Sequence, residues 1–136
     1  MRDRLWCELG RRPWWMNALL LFCAYMAFVG VPRDLLTTPS GSEEEVWFGI
    51  LFRGGAAQLL ALLHELVYAA GAYGFWRMSA WMWPWAALYA GQVALSAAVW
   101  PLLYRSSARG LAAGTAFAFV ALQLWRSRER FQRGDG

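Results

Sequence analysis

Four apolar segments divide the 136-residue chain, and each is close to the length of a membrane span. An α-helix rises 1.5 Å per residue, so roughly 20 apolar residues cross a hydrocarbon core about 30 Å thick. The pattern predicts an all-α membrane protein, a bundle of four transmembrane helices that forms a single integral-membrane domain over residues 1–136. The predicted spans cover about 14–31, 56–76, 81–104 and 110–125.

The second apolar stretch is too long for one span. As a single helix, residues 46–76 would extend about 46 Å, and Arg53, Gly54 and Gly55 interrupt the stretch. We therefore expect "VWFGILF" (46–52) to form an interfacial helical foot before the second span.

The composition supports a membrane environment and excludes nucleic acid as a partner. Hydrophobic residues make up 59% of the chain, with ten Trp, against roughly half in soluble domains. All thirteen basic residues are Arg, and they cluster before the first span and after the last. This arrangement is typical of the flanks of membrane helices, whereas a nucleic-acid binder would carry its basic residues on a folded face.

The Arg distribution also predicts the orientation. With four spans, nine of the thirteen Arg lie on the side of the two termini, and basic loops face the cytoplasm. We expect a multi-pass protein of a bacterial inner membrane with both termini and the tail 126–136 in the cytoplasm. The Glu-rich loop 32–45 would face outward. A cleaved signal peptide is the alternative for the first segment, but no small-x-small pair ends it.

The stretch "ALLHELVYAAGAYGFW" (61–76) places two ionisable residues, His64 and Glu65, inside the second span. Glu65 lies about 14 Å along the helix, near the middle of the bilayer. A carboxyl there is costly, which indicates a functional role.

Polar side chains on two helices form facing stripes. We expect Gln92 or Tyr89 to donate a hydrogen bond to the Glu65 carboxyl, because both recur on one face of the third helix. The alternative is that these side chains only join helices, at about 0.6 kcal/mol each, with His64 as a neutral imidazole bonded to a neighbouring helix. The candidate residues for ligand binding or proton coupling are Glu65, His64, Tyr68, Tyr89, Gln92 and Gln58.

Sequence motifs assign no catalytic residue and no cofactor. The chain contains no HExxH, Walker, GxGxxG, GxSxG or CxxC motif. With a single His, one copy of the chain forms no multi-His metal site, and no metal is expected. A haem or pigment held by His64 alone, or by the His64 side chains of two copies in a dimer, stays open.

The intramembrane "ELV" (65–67) on the second of four spans distantly resembles the emopamil-binding and sterol-isomerase-like membrane proteins. That resemblance covers one helix and the span count, and it implies a flat apolar ligand beside Glu65. The small multidrug transporters also have four spans and one membrane Glu, but theirs is on the first helix of a shorter chain. We assign the chain to neither family.

Three functions follow from a protonatable group in an apolar bundle. The first is binding of an apolar ligand or lipid, or service as an accessory subunit of a membrane complex, through the intramembrane carboxyl. The second is a small proton-coupled transporter acting as a homo-oligomer. The third is a membrane enzyme acting on a lipid-like substrate, which is disfavoured because His64 and Glu65 point about 100° apart. The expected partners are the bilayer, a hydrophobic small ligand, and a second copy or a larger complex.

Overall fold

The computed structural model describes residues 10, 12–37, 44–104 and 108–132, and most of them are helical. The first helix begins after Pro13 and passes through one π-helical segment. A β-hairpin precedes the second long helix. The elements in chain order are α1 (Trp14–Tyr25), the π segment (Met26–Gly30), α2 (Val31–Thr37), β1 (Glu44–Trp47), β2 (Ile50–Arg53), α3 (Gly55–Arg77), α4 (Met82–Tyr104), α5 (Ala108–Arg126) and α6 (Arg128–Gln132).

Among the described residues, three helical segments are long and apolar enough to cross a membrane. They are Trp14–Asp34, Gly55–Arg77 and Met82–Leu103. These segments are consistent with a membrane protein. The fourth predicted segment forms α5, which is not one of the three.

The first helix continues past its predicted end at residue 31, so residues 32–37 of the predicted outer loop are helical. Pro32 lacks a backbone N–H, and its ring would collide with the carbonyl of Phe28 in a regular α-helix. The π segment Met26–Gly30 includes that carbonyl. The wider π turn gives the ring room, and the helix therefore passes the proline.

The predicted helical foot is wrong, because residues 44–53 form an antiparallel hairpin. The strands pair with Val46 opposite Leu51, and the two turn residues Phe48 and Gly49 have φ angles of 52° and 81°. Two positive φ values are the signature of a type I′ turn, whose twist matches the strands. The run is rich in residues that favour strands, and a short apolar run by itself does not distinguish strand from helix.

The long helices pack as two antiparallel pairs, α1 with α3 and α4 with α5. Glycines allow the close approach within each pair. A Cβ added to Gly71 of α3 would lie 3.1 Å from Cys23 Sγ of α1, and one added to Gly114 of α5 would lie 3.1 Å from the Ala94 carbonyl oxygen of α4. Contacts between small residues are how membrane helices gain packing energy where lipid is equally apolar.

One end of the bundle is closed by a hydrophobic core and by the contacts of two Arg side chains. The Arg12 guanidinium donates a hydrogen bond to the Phe75 carbonyl oxygen at 2.9 Å, and the Arg128 guanidinium lies 4.8 Å from the ring centroid of Trp83. Phe131 of α6 is 1% exposed, so the chain after α5 folds back under the bundle. The core at this end includes Met16, Leu20, Phe75, Met82, Leu124 and Phe131.

We predict that Gly114→Ala destabilises the protein while Gly91→Ala does not. A Cβ at residue 114 would press on the α4 backbone, and overpacking of this kind costs about 1–3 kcal/mol. A Cβ on Gly91 meets no atom within 4 Å, so that variant keeps the gain of up to about 1 kcal/mol from better helix propensity. Thermal denaturation in mild detergent measures both. Equal melting temperatures would show that α4 and α5 do not depend on this contact.

Candidate functional site

An aromatic cluster joins the hairpin to the helices, and His64 lies at its centre. The imidazole stacks on the Trp47 ring of β1, with centroids 4.5 Å apart and an interplanar angle of 20°. Two tyrosine rings also pack on the imidazole, that of Tyr68 one turn along α3 and that of Tyr89 on α4. Each ring centroid lies 6.0 Å from the centroid of the imidazole. The cluster therefore brings together β1, α3 and α4.

Glu45 adds a charged group to this cluster. Residues two apart on a strand share a face, so Glu45 points to the same side of β1 as Trp47. Its Oε2 lies 3.4 Å from His64 Nδ1, and the two side chains are 27% and 15% exposed. This contact becomes an ion pair when His64 is protonated. Glu45 and Trp47 thus hold the hairpin against His64 of α3.

The hairpin also carries an ion pair on its outer face. Arg53 Nε donates to Glu44 Oε1 at 2.9 Å, and both side chains are more than half exposed. They are directly opposite each other in the register. An exposed pair of this kind contributes at most about 1 kcal/mol. The sequence pattern predicts that Glu43, Glu44 and Glu45 lie in an outward-facing loop. Glu44 and Glu45 instead lie in strand β1, and Glu43 is outside the described residues.

The structure brings together only three of the six predicted site residues, namely His64, Tyr68 and Tyr89. Gln58 is exposed on α3, and Glu65 is half-buried. Within the described part of the chain, the Glu65 carboxylate makes no hydrogen bond or ion pair.

The expected hydrogen bond from Tyr89 or Gln92 to Glu65 does not form. Gln92 Nε2 instead donates to Ser96 Oγ of its own helix at 3.0 Å. The reason is that Tyr89 packs against His64 together with the hairpin, and Glu65 is turned about 100° from His64 around the helix.

Glu45 and Trp47 are the site residues that the sequence reasoning missed. Their spacing of two places them on one face of a strand, but about 200° apart on a helix. A helix through both residues would point the two side chains in opposite directions, so the helical prediction does not bring them together. The sequence signal was present in the Phe48-Gly49 turn, where glycine readily adopts the positive φ that a hairpin needs.

An apolar cavity of about 290 Å³ lies between the two helix pairs. All four long helices contribute to its walls, which are almost entirely hydrophobic, and none of the described side chains in the walls is charged. Tyr68 and Tyr89 form the end nearest the hairpin, and Phe75, Met82 and Leu124 form the opposite end. The aromatic cluster is thus the roof of the cavity.

Three polar atoms near the roof are buried without a hydrogen-bond partner among the described residues. They are Trp47 Nε1, the Tyr89 hydroxyl and Gln92 Oε1. The Tyr68 and Tyr89 rings meet edge to face with centroids 6.1 Å apart, and no hydrogen bond joins their hydroxyls. Buried polar atoms are nearly always paired in proteins. Of these three, only the Tyr89 hydroxyl belongs to a residue of the cavity wall, so it is the atom to which a ligand can supply a partner.

We predict that His64→Ala loosens the hairpin. The variant loses a stacked ring pair and a polar contact. Together these losses should raise the equilibrium constant for local opening of the hairpin about tenfold. Hydrogen exchange of the 44–53 amides, followed by mass spectrometry, measures the change. Leu63→Ala is the matched control, because Leu63 is an exposed neighbour on the same helix. Equal exchange in both variants would contradict the proposed anchoring by His64.

Comparison with known proteins assigns no family to this chain. It matches no family model, no curated protein and no solved structure. Among the described residues, no group of three or more His, Cys, Asp or Glu side chains is placed to hold a metal ion. The cavity and the aromatic cluster at its roof are therefore the features of the molecule that bear on its function.

Proposed function

We propose that this integral-membrane protein binds a small apolar molecule or lipid, which enters from the bilayer and occupies the cavity between the helix pairs. The cavity carries the proposal: its volume of about 290 Å³ is just below the range of about 300–1,000 Å³ for ligand pockets. Its walls are hydrophobic, and the hydroxyl-bearing side chains of Tyr68 and Tyr89 lie at one end. An apolar pocket with a few convergent polar groups is the usual form of a small-molecule site.

The proposal rests on the cavity and not on the intramembrane carboxyl. Glu65 is not among the residues that line the cavity. The enzyme alternative needs His64 and Glu65 to act together, but Trp47 and Glu45 cover His64 and Glu65 points elsewhere. The transporter alternative needs only the Glu65 carboxyl, which does not line the cavity. These contacts favour binding over either alternative.

We also propose that α5 is a fourth span, which would place both termini in the cytoplasm of a bacterial inner membrane. The 19 residues of α5 extend about 28 Å, close to the thickness of the hydrocarbon core. The helix runs antiparallel along α4, and Trp125 at its end packs on Trp83 with ring centroids 5.1 Å apart. Arg126, Arg128 and Arg130 lie at this same end, as a cytoplasmic flank would require.

Cysteine labelling tests this topology. We introduce Gly10→Cys, Leu36→Cys or Gln132→Cys into a Cys7→Ser, Cys23→Ser background and treat intact cells with an impermeant maleimide. Leu36 is 86% exposed and follows the first span, so it should label from outside. Residues 10 and 132 should label only in inverted vesicles. Labelling of both 36 and 132 in intact cells would show that α5 does not cross the membrane.

Thiol protection tests the binding function. Cys23 lines the cavity, and Cys7→Ser makes it the single thiol. We predict that heptylcyclohexane slows modification of Cys23 by methyl methanethiosulfonate in detergent. At ten times its Kd, the probe should lower the rate about tenfold, because only about a tenth of the sites stay empty.

Three variants control for nonspecific effects of the probe. Ala86→Phe places a ring in the cavity wall and should abolish protection. Leu88→Phe adds the same ring at an exposed position on α4 and should leave protection unchanged. Glu65→Gln should also leave it unchanged, because the carboxyl is outside the cavity. Absence of protection in the parent, or equal loss in Ala86→Phe and Leu88→Phe, would sink the proposed function.

A further inference from the structure

We infer that the ligand is uncharged and amphipathic, with a hydrogen-bond-accepting oxygen held by the Tyr89 hydroxyl beneath the hairpin and an apolar tail directed toward Phe75 and Met82. The inference rests on the proposed function, and it adds the chemical class of the ligand and its direction in the cavity.

The two tyrosines supply the polar end of the cavity. Tyr68 and Tyr89 come from facing helices, and their rings meet edge to face with centroids 6.1 Å apart. They are the hydroxyl-bearing side chains among the described residues of the cavity walls. The Tyr89 hydroxyl is buried and has no hydrogen-bond partner in the described part of the chain.

An unpaired hydroxyl in an apolar site is unfavourable, whether lipid or protein surrounds it. A carbonyl or hydroxyl oxygen on the ligand relieves this penalty by accepting the Tyr89 O–H. The gain is specific to such a ligand, because a pure hydrocarbon finds equally apolar surroundings in the bilayer. The hydrogen bond therefore provides selection that the hydrophobic walls alone do not.

The charges around the cavity argue against an anionic or cationic headgroup. At the hairpin end, the Glu45 carboxylate already contacts His64 Nδ1, so it is not free to pair with a cationic headgroup. At the opposite end, the Arg12 guanidinium already donates to the Phe75 carbonyl. A carboxylate or phosphate at the tyrosine end would thus be buried without a dedicated cation, which is strongly unfavourable.

The length of the cavity fits a short tail. From Tyr68 to Phe75 is seven residues of α3, which corresponds to about 10 Å along the helix axis. Met82 and Leu124 close the far end and are nearly fully buried. A tail that begins at Tyr89 and extends about 10 Å reaches this floor.

The test compares two probes that differ in one oxygen. Protection of Cys23 in the full-length Cys7→Ser protein is titrated with heptylcyclohexane and with 2-heptylcyclohexanone. We expect the ketone to bind about fivefold more tightly, the value of one neutral hydrogen bond. Tyr89→Phe should remove this preference, so that the two probes bind this variant with the same Kd.

Tyr73→Phe is the matched control, because Tyr73 lies on α3 with 61% of its surface exposed. This variant should keep the preference for the ketone. Tyr89→Phe removes only an unpaired hydroxyl, so its melting temperature without probe should equal or exceed that of the parent. A melting temperature at that level shows that the variant is folded and that any lost preference comes from the missing hydroxyl.

The outcomes separate this inference from the proposed function. Equal binding of both probes in the parent overturns the inference and leaves the cavity function standing. A preference that persists in Tyr89→Phe overturns the assignment of the donor. Tighter binding of 4-heptylcyclohexanecarboxylate than of the ketone overturns the uncharged class. If neither neutral probe protects Cys23, the proposed function fails as well.

Discussion

The stack of His64 on Trp47 is the interaction on which the arrangement around the cavity depends. It attaches a two-stranded hairpin, too small to be stable by itself, to the wall of a helical bundle. Glu45 reinforces the attachment through its contact with the same imidazole. Because Tyr68 and Tyr89 pack on His64 as well, the hairpin and the roof of the cavity share one set of contacts.

The cavity exists because the two helix pairs are joined at their ends and less closely between them. At one end, Phe75, Met82 and Leu124 form a core with the buried ring of Phe131. At the other end, the aromatic cluster connects α3 to α4. Within each pair, glycines bring the backbones together, whereas α3 and α4 have fewer direct contacts. The space that results is apolar on its sides and hydroxyl-bearing at its roof.

Ligand binding inside a membrane obeys different energetics from binding in water. Moving an apolar molecule from lipid to an apolar cavity gains little from the hydrophobic effect, so close packing and hydrogen bonds decide affinity. A buried hydroxyl without a partner, such as that of Tyr89, is therefore a more informative feature of this site than its hydrophobic walls. His64 packs against both tyrosines and Glu45 contacts His64, but neither His64 nor Glu45 lines the cavity.

The sequence by itself determined the places of three helices long and apolar enough to cross a membrane, because hydropathy and length act locally along the chain. It also identified His64, Tyr68 and Tyr89 as residues of interest. Only the tertiary structure decided that residues 44–53 form a hairpin. A short apolar run is compatible with strand or helix, and its contacts with the rest of the chain select between them. That choice placed Glu45 and Trp47 on His64. The orientation of each polar side chain was likewise a tertiary outcome, because rotation of a helix about its axis depends on what packs against it.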